Sequence, residues 1–314
     1  MINIATVHWQ TAKWIDAQLH YVARACGDTP YRVFASLNGI DDEQIWARFH
    51  FAADLDGNHG SKLNQLASII AEDASPTDIL IFLDGDAFPI RSLTPWVEES
   101  LEKYPLIAVR RDENLGDSQP HPLFCATTVG FWQRIEGDWR PGGGTWINTA
   151  GREVADTGGN LLVKLRDSGV EWRPLLRTNT FNPHPVWFGI YDHRIYHHGA
   201  GFQATRVERV DWASRYEKKA STGRALRPTA ESPNLGMLRA QAANSPGVLR
   251  GLRPATVAKA AVKTVRLRLE HRHYVKLTNT ERGRNLAALG EDVFRQLSTD
   301  DEFFRQFDDS VLPD

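Results

Sequence analysis

Three short apolar runs early in the chain predict β-strands. Residues 2–7 and 31–37 are rich in β-branched and aromatic side chains, and the second run ends at the turn-forming pair Asn38-Gly39. The third run, residues 78–83, is continuously apolar after its first residue, which is typical of a strand covered on both faces.

The segments between these runs have helical periodicity. Residues 11–26 form one such stretch, and residues 61–72 place Leu63, Leu66 and Ile70 at the spacing of an amphipathic helix. Strands that alternate with helices predict an α/β fold, in which a mostly parallel sheet is flanked by helices.

The later part of the chain changes character. Its middle contains a predicted helix at 161–167, a glycine-rich loop at 142–144 and predicted strands at 106–109, 127–132 and 194–197. From about residue 206 the β signals fade, and residues 255–277 and 291–307 are predicted helices. The pattern therefore predicts an α/β domain over residues 1–205 and a mostly helical region over residues 206–314.

Composition narrows the class of protein. The chain is 41% hydrophobic and 24% charged, which is typical of a folded domain rather than a disordered one. Its two cysteines are too few for a disulfide framework, and no apolar run is long enough to span a bilayer. Together with the lack of a secretory signal pattern, these features predict a cytoplasmic protein.

The net charge of −2 conceals three segregated blocks. Residues 1–223 carry 22 basic and 28 acidic side chains, residues 224–284 carry 13 and 3, and residues 285–314 carry 2 and 8. The total is thus near zero because an acidic domain and an acidic tail offset a basic segment between them.

The basic segment has two interpretations. Residues 254–277 contain an apolar stripe with cations on its other side, as in a helix that lies on the inner face of an anionic membrane. The alternative is a helix packed on the α/β domain with a solvated basic face. A nucleic-acid partner is not expected, because Tyr274 is the segment's one aromatic residue and base stacking needs more.

The sharpest chemical motif is Asp84-Gly85-Asp86, directly after the third predicted strand. Ligands of open α/β sheets bind at the carboxyl ends of strands. Two carboxylates so close together repel one another unless a cation or proton neutralises one. A divalent ion such as Mg²⁺ or Mn²⁺ is therefore expected here, with a solvated Asp-Gly turn as the structural alternative.

In this motif the chain resembles the nucleotide-sugar-dependent glycosyltransferases of the GT-A fold, whose Asp-x-Asp motif ends a buried strand of a Rossmann-like sheet. Gly60, Lys62 and Asn64 resemble the family's glycine-rich turn and helix beside the donor diphosphate. The resemblance implies that Asp84 also contacts the donor. Thr6 and Asn38, at the ends of the first two strands, are expected in the nucleoside pocket.

The resemblance also implies a late histidine as a metal ligand. His197 and His198 are the candidates, and since neighbours in a strand point to opposite faces, at most one should reach the ion. We expect His198, next to the loop, with His197 in reserve. Two structural histidines are the alternative.

The resemblance further implies a carboxylate after the central strands that acts as catalytic base in an inverting transfer, and Asp156 matches it by order in the chain. The family's usual Glu-Asp pair is absent, so retaining chemistry stays open, and a helix N-cap is the structural alternative. The acceptor part is expected at roughly residues 105–205. Four tryptophans in it are expected either to offer aromatic faces to a sugar acceptor or to pack in the core: Trp132, Trp139, Trp146 and Trp187.

These features predict a metal-dependent glycosyltransferase of the hexosyltransferase type. It would move a sugar from a nucleotide diphosphate sugar to a hydroxyl of a carbohydrate or glycolipid, in polysaccharide or glycoconjugate synthesis. Two alternatives remain. One is a phosphatase of the haloacid-dehalogenase type that uses Asp84 and Asp86. The other is a protein that binds sugar or nucleotide without turnover.

Overall fold

The computed structural model describes residues 1–112, 117–143, 145–147, 153–179, 189–198, 281–299 and 303. In chain order the elements are β1 (Ile2–Trp9), α1 (Ile15–Cys26), β2 (Tyr31–Asn38), α2 (Glu43–Trp46), β3 (Phe51–Ala53), α3 (His59–Ala71), β4 (Ile79–Asp84), β5 (Ala87–Pro89), α4 (Thr94–Lys103), β6 (Leu106–Val109), β7 (His121–Thr128), α5 (Val129–Arg134), β8 (Trp146–Ile147), β9 (Glu153–Val154), α6 (Gly159–Asp167), β10 (Arg173–Leu175), β11 (Gly189–Tyr191), β12 (Ile195–His197) and α7 (Glu281–Thr299).

A seven-stranded sheet in the order β10-β6-β7-β4-β1-β2-β3 organises the described part of the chain. Its strands run parallel except β7, which is antiparallel to both β4 and β6. Since β2 and β3 lie on one side of β1 and β4 on the other, the strand order reverses between β1 and β4. The prediction of a mixed, mostly parallel sheet flanked by helices is confirmed.

Burial on both faces explains why the central strands are so apolar. Neighbouring residues of β4 belong to different clusters: Ile81 packs in one hydrophobic core and Phe82 in another. Leu80 to Leu83 are all fully buried. A strand covered on both faces loses the apolar–polar alternation, as predicted for this run.

A second, three-stranded sheet in the order β11-β12-β5 extends from the carboxyl end of β4. Helix α7 packs near it, because Val293 and Leu297 share a hydrophobic cluster with Phe88 and Tyr196. The Tyr21 hydroxyl donates a hydrogen bond of 2.7 Å to the Leu297 carbonyl, which ties α7 to α1 as well.

One predicted element is wrong in type. The predicted strand 127–132 is instead the end of β7 followed by α5. Thr128 stops the strand because its hydroxyl accepts a hydrogen bond from the Phe131 amide at 3.1 Å, as a helix N-cap does.

The predicted C-terminal elements are only partly covered. Helix α7 overlaps the start of the predicted helix 291–307. The predicted helix 255–277, most of the basic segment 224–284 and Trp187 lie outside the described residues, so the membrane and packing interpretations stay predictions. Among the helices that the structure describes, none is long and apolar enough to cross a membrane.

Close packing at Gly60 gives a stability prediction. A Cβ atom there would lie 2.6 Å from the Trp139 carbonyl oxygen, which cannot move freely because it is backbone. Helix propensity alone would favour alanine by about 1 kcal/mol. We expect Gly60→Ala to lower the free energy of unfolding by about 1–3 kcal/mol, because the clash outweighs propensity.

Urea denaturation followed by circular dichroism measures the free energy of unfolding of Gly60→Ala, with Ser68→Ala on the exposed face of α3 as the control. The control should change stability by no more than about 0.5 kcal/mol. A Gly60→Ala variant as stable as the wild type would show that the close contact has no energetic importance.

Candidate functional site

The Asp84-Gly85-Asp86 turn lies at the point where the strand order of the main sheet reverses. Asp84 ends β4, and its neighbour Val7 pairs with it near the carboxyl end of β1. In open α/β sheets this crevice is the usual ligand site, since two strand ends diverge there and leave room between their loops. The motif predicted from sequence therefore occupies the expected place.

Strand β12 brings a histidine to the two carboxylates. His197 pairs with Ala87 in the antiparallel register of β12 and β5, next to Asp86. Its Nε2 atom lies 3.7 Å from Asp84 Oδ2 and 3.5 Å from Asp86 Oδ1. The three side chains thus converge although more than a hundred residues separate the histidine from the motif.

His197, rather than the expected His198, has a ring nitrogen close to both carboxylates, so we propose His197 as the ligand. The His198 Nδ1 atom lies 2.8 Å from the Tyr196 hydroxyl, and its ring packs 4.5 Å from that of Trp14. The reason is the alternation of strand side chains, which turns residue 198 to the face opposite residue 197.

The cluster has the composition and spacing of a divalent-cation site. Ligand atoms of Asp84, Asp86 and His197 all lie within 4.8 Å of one another. At that separation two carboxylates repel by about 3–4 kcal/mol for an effective dielectric constant of ~20. Carboxylate oxygens with one imidazole suit Mn²⁺ or Mg²⁺, so the residues present fit the expected metal.

A second histidine, which the sequence analysis did not identify, lies on the other side of Asp84. His59 Nε2 is 2.9 Å from Asp84 Oδ1, and its burial lowers its pKa while the Asp84 and Asp86 carboxylates outweigh this and raise it overall. Neither of these two atoms has a hydrogen bond of good geometry to another described residue. Such buried, unsatisfied atoms are frequent where an ion is normally bound.

The position of His59 follows from the start of α3. The Asn58 side chain accepts hydrogen bonds from the Ser61 amide at 2.9 Å and the Ser61 hydroxyl at 3.0 Å, so Asn58 is the N-cap and His59 the first helical residue. No pattern in the sequence sets this histidine apart from an ordinary helix start.

Gln18, on the buried face of α1, holds the backbone of the Asp84-Gly85-Asp86 turn by hydrogen bonds. Its side-chain nitrogen donates to the Asp84 carbonyl at 2.8 Å and to the Ala87 carbonyl at 2.9 Å, so both protons are used on the backbone around the motif. Its oxygen accepts from the Thr6 hydroxyl and lies 3.1 Å from His8 Nε2. A polar residue on the buried face of α1 was the signal that could have revealed it.

Two predicted donor-binding residues meet beside the cluster. The Lys62 ammonium group donates a 2.6 Å hydrogen bond to Asn38 Oδ1 and lies 4.6 Å from the centre of the Trp9 ring. Asn38 in turn donates to Asp54 and to the Leu55 carbonyl. Burial lowers the pKa of Lys62, and the nearby Asp54 and Asp56 only partly oppose this.

Thr6 and Asn64 have their side chains committed elsewhere. Thr6 is fully buried and donates to Gln18, which gives no support to its assignment to a nucleoside pocket. The Asn64 amide donates to Asp138 at 2.6 Å and accepts from the Trp139 amide at 2.9 Å. With Gly60, which packs against Trp139, Asn64 therefore joins α3 to the loop before β8.

Asp156 lies beside the partly buried Arg111 rather than in the acidic cluster. Arg111 Nη2 is 3.3 Å from Asp156 and 3.1 Å from the fully buried Asp117. The N-cap alternative is excluded, because Gly158 caps α6 and Asp156 Oδ1 accepts from the Thr157 amide instead. The Asp156 side chain keeps 47% of its surface exposed, which leaves room for a ligand.

The buried His121 is affected by charged residues beside Asp156 and by others at the acidic cluster. Burial holds the pKa of His121 well below its usual value, and the charges of Arg111, His197 and His59 lower it further. The His121 Nδ1 atom accepts the Leu123 amide at 3.1 Å, so this ring is held in place. His121 is therefore within electrostatic range of Arg111, the partner of Asp156, and of His197 and His59 at the acidic cluster.

Two of the four tryptophans named in the sequence analysis belong to the core. Trp132 and Trp139 stack 5.7 Å apart in the cluster beneath α3 and are buried, so they do not offer faces to an acceptor. Trp146 lies in β8, where its side chain is outside the description.

This chain resembles solved glycosyltransferases. The galactosyltransferase LgtC, in complex with donor and acceptor sugar analogs, is 18% identical with a TM-score of 0.31 over 42% of this chain and 60% of its own. The chain thus spans about three fifths of that enzyme. Glycosyltransferase GlyE of Streptococcus pneumoniae TIGR4 is 12% identical, with a TM-score of 0.37 over 55% of this chain and 45% of its own.

A third similar structure is glucosyl-3-phosphoglycerate synthase of Mycobacterium tuberculosis, in complex with Mn²⁺, uridine diphosphate and glucosyl-3-phosphoglycerate. It is 12% identical, with a TM-score of 0.37 over 56% of this chain and 70% of its own. No protein-family model matches the chain, and no curated protein does. Likenesses this distant do not identify an activity, which has to follow from the chain's own side chains.

The two neighbouring histidines allow a test of the cation site. We expect His197→Ala to weaken Mn²⁺ binding at least about tenfold, because it removes a nitrogen that faces both carboxylates. His198→Ala is the matched control and should leave Mn²⁺ affinity within about twofold, provided the variant is folded. Electron paramagnetic resonance of free Mn²⁺ during titration measures both. An equal loss in the two variants would contradict the assignment of His197.

Proposed function

We propose that the chain is a metal-dependent glycosyltransferase that uses a nucleotide diphosphate sugar as donor. The observation that carries this proposal is the convergence of Asp84, Asp86 and His197 at the reversal of strand order. A cation bound there would offset the negative charge that develops on the departing diphosphate. The neighbouring Lys62 supplies a further positive charge on the same side of the site.

The side chains around the cluster have separable roles in this proposal. Asp84, Asp86 and His197 hold the cation, and Gln18 fixes the backbone on which both carboxylates sit. Asn38 and Lys62 would contact the donor, since Lys62 reaches from α3 to Asn38 at the carboxyl end of β2, beside the half-exposed Trp9. The acceptor is a hydroxyl of a carbohydrate or a glycolipid.

Asp156 is the proposed base. It would take the proton of the acceptor hydroxyl as the new glycosidic bond forms on the face opposite the leaving diphosphate, which inverts the anomeric carbon. Its exposed carboxylate and its fixed position beside Arg111 support this role. Arg111 would orient the carboxylate and is itself held by the buried Asp117.

The activity is tested with a panel of nucleotide diphosphate sugars and simple sugar acceptors, with and without Mn²⁺. We expect Mn²⁺-dependent release of nucleoside diphosphate from one donor. Asp86→Asn should lower the rate of this release by about a hundredfold or more, because the amide binds the cation weakly and the cation's positive charge beside the diphosphate is lost. Hydrolysis of a phosphomonoester with a trapped aspartyl-phosphate at Asp84 would instead favour the phosphatase. Saturable donor binding without turnover would favour a binding protein.

The role of Asp156 has its own test. Asp156→Asn should lower kcat by about 10²–10⁴-fold while donor and Mn²⁺ affinities stay unchanged, because a base acts in the chemical step alone. Proton NMR of the product then reports whether the anomeric configuration is inverted. A retained configuration, or an unchanged kcat in Asp156→Asn, would remove Asp156 from the mechanism.

A further inference from the structure

A cavity lies away from the acidic cluster. It has a volume of about 540 Å³ and is formed by α4, β10 and the turn between β11 and β12. This volume is in the range of small-molecule sites. Arg194 lines the cavity directly before β12, whereas His197 ends the strand at the acidic cluster, so the two sites are roughly 10 Å apart along β12.

The cavity wall carries an excess of positive charge. Four of its residues are basic and two are acidic, which gives a net charge of +2 when His193 is neutral: Arg91, Lys103, Arg173 and Arg194 against Glu99 and Asp192. Two of the cations are already paired, Arg173 with Asp192 at 3.0 Å and Lys103 with Glu99 at 2.8 Å. Arg194 takes part in neither of these two pairs.

Arg194 has no carboxylate within ion-pair distance among the described residues. Its Nη1 atom donates to the Ser92 carbonyl at 3.1 Å, and its guanidinium lies 5.3 Å from the centre of the Trp96 ring. Burial lowers its pKa, and the positive charges of Arg91 and Arg173 add to this effect. The more distant carboxylates of Asp192 and Glu99 oppose the shift only in part. A half-buried cation beside other cations is unfavourable unless an anion joins it.

Both central arginines are held in fixed positions. Arg173 also lies over the Trp96 ring, at 5.9 Å, and donates to the Ser100 hydroxyl at 2.9 Å. The backbone before Arg194 is unusual, since Asp192 and His193 have φ values of 49° and 56°. Non-glycine residues in this left-handed region cost free energy and are enriched at binding sites.

We propose that this cavity binds the phosphomonoester group of a small molecule, with Arg194 and Arg173 as its main contacts. The net charge of +2 matches a phosphate dianion better than a single carboxylate. Planar guanidinium groups donate paired hydrogen bonds to phosphate oxygens. The remaining volume accommodates a group of about monosaccharide size, carried either by a soluble sugar phosphate or by a lipid headgroup.

Isothermal titration calorimetry with glucose 6-phosphate tests the soluble source, in the presence of EDTA so that no cation recruits phosphate to the acidic cluster. Cosedimentation with phosphatidylcholine vesicles that contain phosphatidic acid tests the lipid source. We expect one of the two probes to bind and Arg194→Gln to weaken that binding by about tenfold or more, because a charged hydrogen bond is lost. Glucose alone should not bind.

Three variants separate the site from indirect effects. Arg134→Gln removes an exposed arginine over another aromatic ring, that of Phe131, and should leave binding unchanged. Lys62→Met should also leave it unchanged, because Lys62 belongs to the proposed donor site. Glu99→Gln removes a negative charge from the cavity wall and should tighten binding by up to about fivefold, an effect that misfolding cannot produce.

The binding results with the two probes and the variants support or overturn the proposal as follows. Binding of glucose 6-phosphate that is lost in Arg194→Gln assigns a soluble ligand, and vesicle binding alone with the same loss assigns a headgroup. Absence of binding to both probes, equal weakening in Arg134→Gln, or loss in Lys62→Met with none in Arg194→Gln would overturn the proposal. None of these results depends on glycosyl transfer, because turnover is not measured.

Discussion

The mutual repulsion of two carboxylates at the end of a buried strand is the constraint around which this molecule is arranged. Asp86 is almost fully buried and Asp84 largely so, yet their oxygens lie within 4.8 Å of one another and of His197. A fold that is held by apolar packing on both sides of β4 can carry such a concentration of charge only at the strand's open end. Gln18 holds the backbone of the acidic turn through hydrogen bonds. The His59 ring lies against Asp84 and offsets part of the negative charge of the carboxylate pair.

The parts of this arrangement that could be predicted depend on neighbouring residues in the chain. The apolar run before Asp84 defines a two-sided strand by itself, so both the strand and the acidic pair at its carboxyl end follow from local pattern. Lys62 was assigned to the donor site by the family resemblance and Asn38 by its position at a strand end, and the two side chains meet. The position of Gln18 could also have been recognised from sequence, because it is a polar side chain within the buried face of a helix.

The parts that could not be predicted depend on pairing between distant segments. The alignment of β12 with β5 decides which of His197 and His198 lies near both carboxylates, and a strand of three residues is too short for its sequence pattern to predict an alignment. Thr128 ended a predicted strand because its hydroxyl capped a helix, and an apolar run of that length suits either structure. The contact of Asp156 with Arg111 joins loops 45 residues apart, which no local spacing encodes.

The short pairing of β12 with β5 also limits how this region can change in evolution. Ile195 and His197 face one side of the strand while Tyr196 and His198 face the other, so a single inserted or deleted residue before β12 would exchange the two sets. A tyrosine or the wrong histidine would then face the carboxylates, and Ile195 would leave the core. The register of β12 therefore fixes the number of residues in the turn between β11 and β12, whichever side chains that turn carries.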